Sequence, residues 1–127
     1  ILHEIKPHVG FSIGDIEVMP IMVMHDKLPI LGYRIGKLAY ITDMKNIEEK
    51  ELEYLSGISV LVINALRWKR EHHSHQLVDD AISFARKLGV KRVFLIHMTH
   101  EIGLHAKANL LLPSGIQFGF DGETIIV

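Results

Sequence analysis

The sequence predicts an α/β fold with a mixed β-sheet and helices on one face, and three observations lead to this prediction. The runs 58–63 and 93–96 are continuously apolar, which is typical of strands that are covered on both sides. An amphipathic helix pattern lies between them, so the middle of the chain follows a β-α-β order. Glycine-containing turns join short apolar runs towards both ends of the chain, and these indicate antiparallel hairpins.

The central stretch 72–100 carries the clearest helix of the chain, predicted from Gln76 onward. Its apolar positions recur at helical spacing and form one stripe: Leu77, Ala81, Phe84, Ala85 and Leu88. Acidic residues occupy the first turn and basic residues the last, which matches the helix dipole at both ends. Gly89 suits the left-handed position that ends a helix. Histidines flank this helix and the strand after it, so the stretch combines regular elements with two histidine clusters.

The remaining elements follow from turn residues and apolar runs. Before the central stretch we predict a short strand at 3–5, a turn at 12–15, strands at 16–24, 31–35 and 37–42, and a helix capped by Asn46 and ended by Gly57. After it we predict a helix at 104–112, stopped by Pro113, and strands at 116–120 and 124–127 around Asp121-Gly122. The 127 residues are therefore expected to form a single domain.

Composition excludes several classes of protein. Lysine and arginine total 14 against 15 acidic residues, so bulk charge does not favour nucleic acid as a partner. The longest uncharged apolar run, 56–66, is too short to span a bilayer, and the chain has no signal-peptide layout, so we expect a cytoplasmic protein with no membrane partner. The chain begins at Ile1 rather than methionine, from which we expect a fragment.

Several strands end in potential metal ligands or acid–base groups. His25, Asp43, Asn64 and His97 each follow an apolar run, and parallel strands bring their carboxyl ends to one edge of a sheet. Imidazole and carboxylate at such an edge suit Zn²⁺, Mn²⁺ or Fe²⁺. The alternative is that the aspartate caps a turn and that the nine histidines are surface or core residues without a shared role.

These residues carry a resemblance to a known family. His25, Ile41-Thr42-Asp43, the 72–75 cluster HHSH and the 95–100 run LIHMTH fall in the order of the later motifs of the metallo-β-lactamase superfamily. The closing runs 112–115 and 120–122 are also similar. The branch that it resembles holds ribonuclease Z and a cyclic phosphodiesterase of phosphonate catabolism.

The resemblance implies roles for particular side chains. His25 resembles a ligand of the first metal, Asp43 the aspartate that bridges two metals, and His97 a ligand of the second metal. His75 resembles the histidine of the phosphodiesterase branch that is not a metal ligand but acts near the scissile phosphate. Its place before a helix suits chemistry at an anion, because the helix N-terminus presents free N–H groups. His72 and His73 remain alternative carriers of this role.

The most diagnostic motif of that superfamily, H-x-H-x-D-H, is absent. Residues 73–75 match its first half only, and Gln76 and Leu77 follow. We therefore expect the C-terminal αβ half of an αββα sandwich, lacking the N-terminal half, with three ligands for two metal positions. Such a fragment is expected to be inactive alone and to self-associate through its exposed half-core.

The expected activity of the parent protein is hydrolysis of a small or cyclic phosphodiester by two zinc ions, with manganese or iron as substitutes. A large RNA substrate is disfavoured, because nothing in this chain supplies a lysine- and arginine-rich surface, although such a surface could lie in the missing half. Two alternatives are kept: hydrolysis of a thioester or lactone at the same centre, and a non-catalytic half-domain that self-associates.

Overall fold

The computed structural model describes residues 1–127, and its strands follow one another across a single seven-stranded sheet in chain order. The strands are β1 (Phe11–Ile13), β2 (Ile16–His25), β3 (Leu28–Ile35), β4 (Leu38–Ile41), β5 (Val60–Asn64), β6 (Arg92–Ile96) and β7 (Ile116–Phe118). Pairs from β1 to β4 are antiparallel and pairs from β4 to β7 are parallel. The predicted α/β class with a mixed sheet is therefore confirmed.

Two α-helices and two 3₁₀-helices complete the fold. They are α1 (Val78–Leu88), α2 (His105–Asn109) and the 3₁₀-helices Glu49–Leu55 and His100–Ile102. Helix α1 ends where the sequence predicts, at Gly89, whose φ of 70° is left-handed and costs a glycine little. None of the helices has the length and hydropathy needed to cross a bilayer.

Some predicted elements differ from the observed ones. The helix predicted after Asn46 is a 3₁₀-helix whose N-cap position is Glu48, so Asn46 does not cap it. Asn46 instead forms a backbone bridge with Met24, whose N–H donates to the Asn46 carbonyl at 2.8 Å. Residues 3–5 and 124–127 form no strands. The last segment instead packs Ile125 against the sheet, and Arg92 donates a hydrogen bond to the Ile126 carbonyl at 2.8 Å. These contacts replace the backbone pairing that a terminal hairpin would have provided.

The main core lies between one face of the sheet and the helices. Alternate residues of β5 and β6, such as Leu61, Ile63 and Leu95, are fully buried there beside Ala81 and Ala85 of α1. The intervening residues form a smaller cluster on the opposite face: Val60, Val62 and Phe94. The helices therefore cover one face, as the sequence predicts.

The topology brings four strand ends to one edge of the sheet. Strands β2 and β4 each pair antiparallel with β3 and so run in the same direction, and β4, β5 and β6 are mutually parallel. The carboxyl ends of β2, β4, β5 and β6 therefore meet. Polar side chains follow each of these ends, and this edge positions the candidate site.

Candidate metal centre

Four side chains from separate parts of the chain converge at this edge. The Nε2 atom of His75 lies 3.3 Å from Nε2 of His25 and 3.5 Å from Oδ1 of Asp43. The same Oδ1 atom lies 2.9 Å from Nδ1 of His97. The His75 and His97 rings are stacked, with centroids 4.8 Å apart. The structure therefore brings together the three residues that the resemblance implies as ligands and His75.

One group of three has the spacing of a metal site. The ligand atoms of His25, Asp43 and His75 all lie within 4.8 Å of one another. In a tetrahedral zinc site with bonds of about 2.0–2.1 Å, neighbouring ligand atoms are roughly 3.3 Å apart. His75 therefore has ligand-like spacing, although the sequence resemblance implies a non-ligand role for it. His97 joins this group through its contact with Asp43.

The carboxylate of Asp43 indicates that a cation fits here. Its Oδ1 atom is buried and has no hydrogen-bond partner. The His97 ring nitrogen lies 2.9 Å from this oxygen but makes no hydrogen bond to it. A buried acceptor without a donor costs about 1–3 kcal/mol. Together with the surrounding imidazoles, this orphaned oxygen suits a divalent metal.

Backbone strain marks the same positions. Asp43 and His97, each just after a strand, have φ values of 60° and 59°. Residues other than glycine adopt this left-handed region uncommonly, and such strain concentrates at functional sites because the surrounding structure must hold it. Both side chains are turned towards the shared edge at the point where their strands stop.

Asn64 holds the loop that carries Asp43. Its side chain is fully buried, Oδ1 accepts a bond from the Met44 N–H at 2.8 Å, and Nδ2 donates to the Met44 carbonyl at 2.9 Å. The sequence marks Asn64 only as one of several strand-terminal polar groups with ligand or acid–base potential. Its two bonds to the residue after Asp43 instead give it a structural role, which the sequence spacing alone does not reveal.

The loop that carries His75 is attached to the same strand end. The side chain of Gln76 is buried and donates to the Asn64 carbonyl at 2.7 Å, and the Gln76 carbonyl accepts a bond from the Leu66 N–H at 3.0 Å. The Leu66 carbonyl in turn accepts the Thr99 N–H at 2.8 Å, just beyond His97. Backbone bonds therefore fix three of the converging segments relative to one another.

Burial and neighbouring imidazoles disfavour the protonated forms of His75 and His72. Burial lowers the pKa of His75 below its usual value of 6.5, and the neighbouring His97, His25 and His72 lower it further, while Asp43 opposes them. Loss of hydration also lowers the pKa of His72, with repulsion from His73 as the next cause. Neutral imidazole is the form that binds a metal or accepts a proton.

The structure also separates the alternative histidines. His75 faces Asp43 and His25, whereas His72 contacts His75 from the opposite side, with their Nδ1 atoms 3.1 Å apart. His73 is exposed and packs its ring against His72, with centroids 4.4 Å apart. His75 is therefore the member of this cluster with the most direct access to the four-residue centre.

The start of helix α1 is less open to anions than its dipole implies. The carboxylate of Asp80 accepts the N–H of Leu77 at 2.9 Å. This bond occupies one amide at the helix start and adds a negative charge there. Chemistry at an anion would therefore depend chiefly on the side chains at the sheet edge.

Comparison with known proteins agrees with this architecture. Residues 1–98 match the beta-lactamase superfamily domain. A diphosphatase from the PhnP family superposes with a TM-score of 0.91 and 34% identity, over 98% of this chain and 48% of that one. The metallo-β-lactamase fold protein YhfI from Bacillus subtilis superposes with a TM-score of 0.70 and 13% identity, over 91% of this chain and 51% of that one. Human tRNase Z, short form, superposes with a TM-score of 0.60 and 18% identity, over 69% of this chain and 38% of that one.

A sequence relative carries a different description. The chain is 42% identical over 126 residues to an octanoyltransferase from Porphyromonas gingivalis (strain ATCC BAA-308 / W83). The match covers 99% of this chain but 26% of that protein. The chain thus spans about a quarter of this relative and about half of the diphosphatase.

Proposed function

The chain belongs to the beta-lactamase superfamily, and from this premise we propose that the whole protein is a metal-dependent hydrolase of small phosphodiesters. The observation that carries the proposal is the convergence of His75 and His97 on the unsatisfied Oδ1 of Asp43, with His25 in contact with His75. The similarity to a diphosphatase over nearly the whole chain supports a phosphate ester as the substrate class.

We assign the metal ligands as His25, Asp43 and His97, with Asp43 shared between two positions. Zinc suits this mixture of nitrogen and oxygen donors, and manganese or iron is the alternative. When bound, the metal would supply a Lewis acid and an activated water. His75 lies beside the ligands and is placed to accept or return a proton at Nε2, and its side chain is 14% exposed.

Three ligands do not complete two metal positions, since a catalytic zinc generally has three protein ligands of its own. The proposal therefore needs further ligands from another part of the whole protein or from a second copy. The smaller cluster around Val62 and Phe94, on the sheet face away from the helices, is where we expect the rest of the fold or a second copy to pack.

The proposed substrate is small. The chain has a formal net charge of −1, so its bulk charge does not favour a long RNA. A substrate with one phosphodiester needs only local charge stabilisation, which the proposed centre would supply.

A second candidate activity is hydrolysis of a thioester at the same centre. The similarity to a protein described as an octanoyltransferase favours it, because acyl transfer and thioester hydrolysis begin with attack on the same kind of carbonyl. The match covers only 26% of that protein, so most of its length has no counterpart in this chain. This candidate therefore ranks second.

The test is to load the whole protein with zinc or manganese and compare turnover of bis(p-nitrophenyl) phosphate, a cyclic nucleotide and an octanoyl thioester. Preference for the phosphodiesters is expected, and preference for the thioester would favour the second candidate. His75→Ala should lower kcat by about 10²–10⁴-fold with metal content retained. His100→Ala, which removes an exposed histidine outside the centre, is the matched control.

Metal analysis of the same samples separates the roles. His97→Ala should reduce bound metal, because it removes a proposed ligand. Loss of metal from His75→Ala would instead make His75 a ligand, as its spacing to His25 and Asp43 allows. Absence of turnover on all three substrates, despite full metal occupancy, would refute the proposed function.

A further inference from the structure

Beside the proposed centre, Ser74 and His72 form a hydrogen-bonded group with the far side of the His75 ring. Ser74 is buried, with 3% of its surface exposed. Its Oγ atom lies 3.1 Å from Nδ1 of His75 and 3.1 Å from Nδ1 of His72. The two Nδ1 atoms are themselves 3.1 Å apart. Three polar atoms therefore form a closed triangle, and its hydrogens must be distributed consistently.

A backbone donor fixes that distribution. The N–H of Ser74 donates to Nδ1 of His72 at 3.3 Å, so this nitrogen carries a lone pair and no hydrogen. Nδ1 of His75 lies 3.1 Å away. Unless this atom carries a hydrogen, its lone pair would face the lone pair of His72 Nδ1 and the two would repel each other. With the hydrogen on His75 Nδ1, Ser74 Oγ can accept from His75 and donate its own hydrogen to the His72 lone pair, which it shares with the Ser74 N–H. Every hydrogen in the triangle then has an acceptor.

We propose that Ser74 and His72 are positioning residues that hold the ring hydrogen of His75 on Nδ1 and leave Nε2 as an acceptor facing Asp43 and His25. A neutral imidazole carries only one ring hydrogen, so fixing it on Nδ1 frees the Nε2 lone pair. His75 then begins the reaction with a free lone pair on Nε2, which can accept a proton or bind a metal. The role of His75 in a reaction rests on the proposed function, whereas the assignment of its tautomer does not.

The arrangement has a physical advantage over a freely rotating imidazole. A hydrogen bond to one ring nitrogen commonly fixes the tautomer and orientation of a histidine that acts through its other nitrogen. Isolated histidine side chains favour the opposite tautomer, with the hydrogen on Nε2. A buried serine hydroxyl and a fixed backbone N–H can overcome that preference, because neither is exchanged for water in the folded chain.

The experiment is two-bond ¹H–¹⁵N NMR of the histidine rings in the metal-free whole protein at about pH 8, where imidazoles are neutral. A His75→Gln sample identifies the His75 signals. The native chain is expected to show His75 with hydrogen on Nδ1. Ser74→Ala combined with His72→Phe should shift it towards hydrogen on Nε2, while Ser74→Thr, which keeps the hydroxyl, should preserve the native pattern. Ser83→Ala changes an exposed serine of α1 and is the control.

Backbone amide spectra verify that each variant is folded. Hydrogen on Nε2 in the native chain, or an unchanged tautomer in the folded double variant, would overturn the inference. In the metal-loaded whole protein, Ser74→Ala should lower kcat more than it changes KM, and Ser74→Thr should restore it. A whole protein without phosphodiesterase activity would refute the proposed function, while the NMR result would still decide the tautomer.

Discussion

Replacing Asn64 with leucine tests how the sheet edge holds Asp43. Leucine has the same branching and number of side-chain heavy atoms as asparagine but makes no hydrogen bond, so Asn64→Leu removes both bonds to Met44 without opening a cavity. Met44 is 2% exposed, so water cannot readily replace them. Each buried backbone group left unsatisfied costs about 1–3 kcal/mol, and the pair should therefore lower the free energy of unfolding by about 4 kcal/mol.

Urea denaturation of the metal-free chain measures this loss, with Asn46→Leu as the matched control. Asn46 is exposed and its side chain makes no hydrogen bond, so its replacement should change stability by less than about 0.5 kcal/mol. Zinc affinity should fall in the Asn64 variant, because the loop that carries Asp43 loses its anchor.

A second substitution, Asn64→Asp, keeps the acceptor for the Met44 N–H but turns the donor into a carboxylate oxygen that faces the Met44 carbonyl. Its destabilisation should diminish as acidification protonates that carboxylate and restores a donor. A loss below about 1 kcal/mol in Asn64→Leu, with an unchanged dependence on urea, would refute the reasoning. It would mean that the loop after Asp43 is held by other contacts.

Two further predictions concern the metal-free chain. The pKa values of His72 and His75 lie below 6.5 in the folded chain, so the unfolded chain binds these protons first on acidification. The free energy of unfolding should therefore be highest above about pH 6.5 and fall below that pH. A urea midpoint that rises on acidification would contradict this prediction. Gly115→Ala should lower the free energy of unfolding by about 1–3 kcal/mol more than Gly57→Ala does. Both glycines have positive φ, but only a Cβ at Gly115 would overlap a facing backbone carbonyl. Equal urea midpoints for the two variants would show that the backbone shifts to accommodate the Cβ.

The sequence by itself determines the elements whose signals are local. Helix α1 follows from apolar spacing and a terminal glycine, and both signals act within a few residues of each other. The strands that end at His25, Asp43 and His97 follow from continuous or alternating apolar runs. Their convergence also follows, because the order of hairpins and β-α-β units fixes which strand ends share an edge.

The tertiary structure decides which side chains point where and what holds them. The role of Asn64 depends on Met44, 20 residues away, and the placement of His75 depends on His25, 50 residues away. No local pattern encodes such pairs, because each requires strand register and loop path together. The last segment shows the same limit: its turn signal predicts a hairpin, but residues 124–127 form no strand and Ile125 packs against the sheet. Local propensity is a weak preference that long-range packing overrides, so the sequence determines the strands and the meeting of their ends, while the fold decides which nitrogen faces which oxygen.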